Sequence, residues 1–292
     1  MKNYDTFIMG HVSIDENIYQ REAVKEIGGA VIYSSCASHA IGHKTGILTK
    51  LSFQDKNCLE AFNIPEKNIF ALNSKSTTSI RNIYHSADRE RRTCTALSVA
   101  EPFTIDDIPN NIDSQIYHFA GLIYGEFDSK MIKFLHNKGK IALDVQGFLR
   151  NVGENREMVF KDWEGKKEYL PYIDYLKTDA AEAEIMTGTK DKKKAGEMLF
   201  KWGAKEIMIT HNKEVLIYNG KKHYAFPLKP RNLSGRSGRG DTCFSAYITE
   251  RLNKNIEDAL LFASALVSLK MEKPGPFKGT RDDVEDYIKK FY

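Results

Sequence analysis

The chain has 292 residues, with 43 Lys and Arg against 39 Asp and Glu, a formal net charge of +4, and 41% hydrophobic and 28% charged residues. That composition suits an ordinary globular protein and argues against a disordered or fibrous one. No apolar run approaches the ~20 residues of a membrane helix and no basic-then-apolar leader opens the chain, so a cytoplasmic protein without membrane contact is expected.

Short apolar runs alternate with helix-length segments. Strands are predicted at "TFIMG" (6–10), "QIYHFAG" (115–121), "KIALDVQG" (140–147), "YIDYLKTD" (172–179) and "EIMITH" (206–211). Helices are predicted between them, at "DSKMIKFLHNKG" and "KDKKKAGEMLFKWGA". The alternation implies βα units, hence an α/β fold with a mostly parallel central sheet and helices on both faces. Asp144, Asp179, Glu182 and Thr210 fall near the C-terminal ends of these strands, where such sheets collect ligands. Two stretches break the rhythm. Residues 11–29 and 76–100 read as strand hairpins, the second around a charged turn, with Thr78, Ile80, Asn82 and Tyr84 sharing one face by period two. They suggest a small accessory sheet over a site, so the chain reads as one domain, 1–292, with a lid at about 11–29 and 76–100.

Later in the chain, "SGRSGRGDTCFSAYITERL" runs from a glycine-rich loop into a helix whose stripe is Phe244, Tyr247, Ile248 and Leu252. The glycines therefore stand at a helix N-terminus, where unpaired amides and the helix dipole attract anions. Gly238 and Gly240 would give access, and Arg239 would add charge. Asp241 is either a capping carboxylate or a base that takes a proton from an attacking hydroxyl. The spacing is neither a Walker A motif nor a dinucleotide fingerprint. Ile256 to Val267 and Val284 to Phe291 read as core-facing helices. The basic runs Lys192-Lys193-Lys194 and Arg89-Glu90-Arg91-Arg92 are too local to imply a nucleic-acid partner. Cys36, Cys58, Cys94 and Cys243 show no CxxC or Cys/His cluster and are expected as reduced buried thiols. His11, His39, His118 and His211 lack metal-like spacing and read as packing or surface groups.

"SGRGDT" with its helix resembles the C-terminal signature of the PfkB, or ribokinase-like, carbohydrate kinases. "GHVSID", "GGAVIYSSCASHAIG", "LKTDAAEAEIMTG" and the "TH" that ends the 206–211 strand are similar to its other landmarks, in order, over roughly residues 5 to 277. The resemblance implies a kinase that phosphorylates a hydroxyl of a sugar or cyclic polyol with ATP. Asp241 would be the base, and the Gly238–Arg239–Gly240 loop the anion hole, through the amides of residues 239 to 241. Asp15, Gly28 and Gly29 would hold the acceptor, Thr210 would lie in the nucleotide loop, and Asp179 and Glu182 would hold magnesium through water. A monovalent cation is a further implied cofactor. "LDVQGFLR" (143–150) looks like an inositol-kinase-like subgroup; where related kinases carry an Asp-x-Asn-x-Arg run, Arg150 would either bind substrate by facing the transferred phosphate or be an ordinary surface arginine. A nucleoside kinase or a catalytically silent regulator is the alternative, and the exposed strand edges of the lid leave room for a homodimer. The sequence departs from the pattern in four places: the Gly-Gly segment lacks the Asn or Lys usual just after it, Asp179 stands in place of Asn, Arg239 stands where alanine is usual, and "ITHNKEV" lacks the glycines that usually follow Thr210.

Overall fold

The computed structural model describes residues 2–86 and 92–292. Strand β1 (Lys2–Met9) leads into a hairpin of β2 (Ser13–Tyr19) and β3 (Glu22–Gly28), and then into helix α1 (Ala30–Ala40). Next come β4 (Thr45–Leu51), β5 (Ile69–Asn73), a second hairpin of β6 (Ser79–Tyr84) and β7 (Arg92–Ser98), and β8 (Ile112–Phe119). The middle of the chain forms α2 (Lys130–His136), β9 (Lys140–Asp144), α3 (Gln146–Leu149), β10 (Arg150–Val152), β11 (Met158–Phe160) and α4 (Lys166–Tyr169). After β12 (Tyr175–Asp179) follow α5 (Ala180–Thr187), α6 (Lys192–Lys201), β13 (Glu206–Thr210), β14 (Glu214–Tyr218) and β15 (His223–Pro227). Three helices close the chain: α7 (Arg239–Glu250), α8 (Ile256–Lys270) and α9 (Arg281–Phe291).

The central sheet has nine strands in the order β15-β14-β13-β12-β9-β8-β1-β4-β5. It is parallel from β5 to β13, and β14 and β15 run antiparallel at one edge. Successive strand residues face opposite sides, as the pleat requires. Leu143, Ile207 and Ile209 join the core that packs on α2, α5 and α6. Ala142 and Met208 join the one that packs on α7, α8 and α9. Helices thus cover both faces. Helix α7 ends at Glu250, two residues before Leu252, which packs partly buried from the following turn. No helix of the described residues is long and apolar enough to cross a membrane.

The two hairpins join into one four-stranded lid, β3-β2-β6-β7, because β2 and β6 pair in parallel. Ile80, Asn82 and Tyr84 are buried on its inner side while Arg81 and Ile83 face out, the face assignment expected from the period-two pattern. The charged turn between β6 and β7, with Arg89, Glu90 and Arg91 of the basic cluster, lies outside the described residues.

Candidate active site

Helix α7 begins where its sequence cannot carry side chains. Gly238 caps it in the left-handed region at φ 70°, and its Cα rests on the Tyr33 ring of α1 so closely that a Cβ would come within 2.1 Å of ring carbons. Gly240 faces the buried Lys177 of β12, whose Nζ would lie 3.2 Å from a Cβ there. Gly235 is pressed against the end of α8, with no room before the Lys273 carbonyl, and its N–H donates to Met271 O at 2.7 Å. The three glycines therefore let the loop be clasped between α1, β12 and α8. Of the amides expected to form an anion hole, that of Arg239 donates to the Arg236 carbonyl at 3.3 Å. The Gly240 amide stands in the first turn of α7, whose N–H groups lack intrahelical partners.

Asp241 stands in that first turn, among buried charges. Burial pushes its carboxyl up to about 6, against the pull of Lys177 and with the Asp144 carboxylate adding to the rise. Lys177 is 5% exposed and pairs with Asp144, at the end of β9, at 2.7 Å. Burial would lower the Lys177 ammonium, but Asp144, Glu182 and Asp241 outweigh it and hold it charged above its ordinary value. Lys177 and Lys270 were missed at the sequence level. The available signal was a lysine inside the buried strand β12 and another at the end of the apolar helix α8, since lysines are almost never fully buried without a partner.

Asp179 and Glu182 form a capping box at the start of α5: Glu182 N–H donates to Asp179 Oδ1 at 2.8 Å, and Asp179 N–H to Glu182 Oε2 at 2.7 Å. One oxygen of each carboxylate remains for water. Burial raises the Glu182 carboxyl to about 8 although Lys177 opposes it, so a cation beside it would relieve a standing cost. Among the described residues no group of three His, Cys, Asp or Glu is set to hold a metal directly, and the pair therefore fits magnesium only through water.

The lid supplies the opposite wall. Asp15 on β2 has its Oδ1 buried without a partner, and burial raises its carboxyl while Arg150 and Arg92 pull it down. Gly28, across the hairpin from Ser13, lies over it, a Cβ there being 3.2 Å from Asp15 Oδ2. Gly29 holds φ 112° as the cap of α1 and has no room for a side chain before the His11 carbonyl. Arg150 is 5% exposed at the start of β10; burial lowers its guanidinium, and Cys94, Arg92 and Asp15 are its charged and polar neighbours. It is buried beside Asp15 of the lid rather than on the surface. Asn82 bonds Asn17 at 3.0 Å, Asn17 bonds Glu26 at 2.7 Å, and Cys94 Sγ donates to Asn82 Oδ1 at 3.2 Å. Cys94 is thus a half-buried wall residue, unlike the buried Cys36, Cys58 and Cys243. Tyr33 is raised by burial and by both Asp241 and Asp15, which sets it at the join of the two compartments.

Two of the expected residues have side chains held by neighbouring segments. Thr210 is buried at the end of β13 with its hydroxyl donating to Thr178 O at 3.4 Å, a bond between strands. Arg239 reaches back across the loop after β13, its Nη2 3.0 Å from Asn212 Oδ1. A cavity of about 830 Å³ beside β5, lined by Phe53, Lys56, Glu60, Asn63 and Ile69, contains none of the charged cluster. The histidines fill packing roles as expected: His11 is buried against Thr78 Oγ1 and the Glu101 carbonyl, and burial drives His118 down to about 3.

A pfkB family carbohydrate kinase model matches residues 4–282. The chain belongs to the pfkB carbohydrate kinases. It is an α/β phosphotransferase of ribokinase-like fold, as the resemblance implied. A solved pyrophosphate-dependent kinase of the ribokinase family, complexed with a pyrophosphate analogue and myo-inositol, is 35% identical at TM-score 0.86 and covers 96% of this chain and 99% of its own. A structure described as the conversion of a pyrophosphate-dependent myo-inositol-1 kinase into a myo-inositol-3 kinase is 34% identical at TM-score 0.87, covering 98% and 99%. Cytidine kinase of Thermococcus kodakarensis is 27% identical over 252 residues, 84% of this chain and 87% of that protein. Ribokinase of Arabidopsis thaliana shares the fold alone, at 17% identity and TM-score 0.77 over 99% of both chains.

Proposed function

We propose that this kinase transfers a phosphoryl group to a ring hydroxyl of an inositol-like cyclic polyol, with pyrophosphate as donor. The observation that carries the acceptor is the inner side of the lid, where Asp15, Asn17, Glu26, Asn82 and Arg92 meet Arg150 of the body. A ring bearing hydroxyls on every carbon suits a wall of donors and acceptors on every side. The donor reading departs from the ATP implied by the sequence. It is supported by two relatives that are pyrophosphate-dependent, by the cations Lys177, Lys270 and Arg239 around so short a loop, and by the Arg239–Asn212 bond, which straps the loop expected to receive a nucleotide.

In this reading Asp15 accepts hydrogen bonds from acceptor hydroxyls, with Gly28 and Gly29 letting the ring approach the backbone. Asp241 takes the proton of the attacking hydroxyl. The Gly240 amide, with the Lys177 ammonium beside it, receives the charge on the moving phosphoryl group, since positioning and charge stabilisation carry this chemistry. Asp179 and Glu182 would hold magnesium through water, and the ion would neutralise phosphate charge. The lid excludes water, which limits wasteful hydrolysis of the donor. A homodimer through the open edge of β3, where Val24 is 54% exposed, belongs to the same reading.

A second reading, an ATP-dependent nucleoside kinase, is favoured by the cytidine kinase relative and by the Tyr33 and Tyr84 rings, which offer a base something to stack on. The test is turnover with myo-inositol, ribose and cytidine, each against pyrophosphate and ATP. Phosphorylated inositol formed from pyrophosphate is the expected product. Turnover of cytidine with ATP alone would overturn the proposal, and tight ligand binding without turnover of any pair would indicate a silent regulator.

A further inference from the structure

Lys270 closes α8, and its side chain runs inward, 3% exposed, to the back of the loop that precedes α7. Its ammonium donates to the Gly235 carbonyl at 2.7 Å and to the Ser237 carbonyl. The Tyr33 ring lies 5.0 Å away on another side. Two carbonyls and a π face account for the three directions of an ammonium. The loop is fastened to the same helix end by the Gly235–Met271 bond and by Ser234 Oγ donating to the Glu272 carbonyl at 2.7 Å. Carbonyl oxygens converging on one point replace the hydration shell of a cation. Here a covalently attached cation takes that position.

We propose that Lys270 is a positioning residue that acts as a built-in cation: its ammonium fixes the 235–238 loop in the shape that receives the donor's phosphate, so that donor binding needs no added potassium or sodium. This goes against the monovalent cation implied by the sequence, and it rests on the kinase reading of the loop but not on the identity of the acceptor. Burial lowers the ammonium to about 8, with Asp241 opposing and Arg239 assisting the fall. The groups facing it are Asp241 and Arg239 from α7 and Tyr33 from α1. Burial raises the Asp241 carboxyl to about 6 and the Tyr33 hydroxyl beyond its ordinary value, so of the groups facing one another here Lys270 is the one that changes charge near pH 8.

The test is calorimetric binding of magnesium pyrophosphate to the full chain, with potassium exchanged for tetramethylammonium at constant ionic strength. Wild-type affinity should change by less than about twofold with potassium. The Lys270→Ala variant should bind about tenfold or more weakly, the scale of one lost charge-assisted hydrogen bond, and regain part of that on adding potassium or methylammonium. Between about pH 7 and 9 wild-type affinity should fall more steeply than that of Lys270→Arg, which keeps its charge. Potassium-stimulated binding in the wild type, or a folded Lys270→Ala that binds as well as wild type, would overturn the proposal. Should the alanine variant not fold by circular dichroism, the wild-type potassium series and the comparison with Lys270→Arg decide it. Failure of pyrophosphate to bind the wild type would instead remove the donor reading, and the same series with magnesium ATP then decides the role of Lys270.

Discussion

The Lys177 ammonium and the Asp144 carboxylate, on adjacent strands β12 and β9, meet at 2.7 Å with exposures of 5% and 1%, directly behind the first turn of α7. A pair so buried contributes little net stability, but removing one partner strands a charge at a cost of about 3–5 kcal/mol. Lys177→Met should therefore destabilise the fold by that order and also remove phosphoryl-group stabilisation. Adding Asp144→Asn should restore much of the stability in denaturant melts without restoring turnover. A double variant with near-normal kcat would show that Lys177 serves the core alone.

Asp241 ties activity to pH in a definite sense. A base must be deprotonated, so kcat/KM should rise with pH through about 6, the value to which burial lifts this carboxyl. The linkage to stability has the opposite sign from that of a salt-bridged aspartate. Because the folded value lies above the unfolded one, near 3.8, the native state binds the extra proton, and stability falls as pH rises from about 4 to 6. Asp241→Asn should lower kcat by about a hundredfold or more. It should also raise stability at neutral pH by on the order of 2 kcal/mol. Calorimetric melts on either side of that window check the second outcome.

Gly238→Ala should fail for two separable reasons. The residue holds φ 70°, which strains any side chain, and the new Cβ would meet the Tyr33 ring at 2.1 Å. The backbone strain alone costs about 1 kcal/mol, and the overlap forces α1 from α7. Turnover should drop by more than about tenfold. Combining the change with Tyr33→Ala should recover part of the stability, because only the backbone strain then persists. A double variant no more stable than Gly238→Ala would locate the damage elsewhere.

Much of this architecture was legible in the pattern of residues. The apolar runs at 6–10, 140–147 and 206–211 hold parallel strands, the second of which stops at Asp144 because α3 begins at Gln146, and period two assigned the inner face of β6. Strands β4 and β5 went unread because "TGILTKL" is buried at every position and therefore does not alternate, while the 3₁₀ turns before β5 carry no stripe. The antiparallel β14 and β15 are short and follow turns that carry charge. Within the site, glycines and carboxylates announced themselves through short motifs. Lys177, Lys270, Asn82 and Cys94 did not, because their roles come from contacts between distant segments: Lys270 reaches a loop 33 to 35 residues earlier in the chain. Thr210 shows the converse, a residue in the expected motif whose hydroxyl is held by the neighbouring strand.

Arg150 and Asp15 provide a separate handle on the acceptor. Asp15 has a buried oxygen without a partner and a carboxyl raised by burial, and the guanidinium of Arg150 is one of the two charges that restrain the rise. Asp15→Asn keeps the shape but exchanges a charged acceptor for an amide, so the KM for the acceptor should rise by about tenfold or more while that for the donor holds. Arg150→Met should act on the same parameter by a different route. With that charge gone, the Asp15 carboxyl rises further and is protonated at higher pH, so the acceptor KM should increase as pH falls, starting from a higher pH than in the wild type. In the Asp15→Asn background the arginine change should have a much smaller effect, because the carboxylate it restrains is absent; steady-state kinetics of the four proteins measure that coupling directly. Independent, additive effects would mean that Arg150 meets the substrate on its own, closer to the transferred phosphate than to the ring.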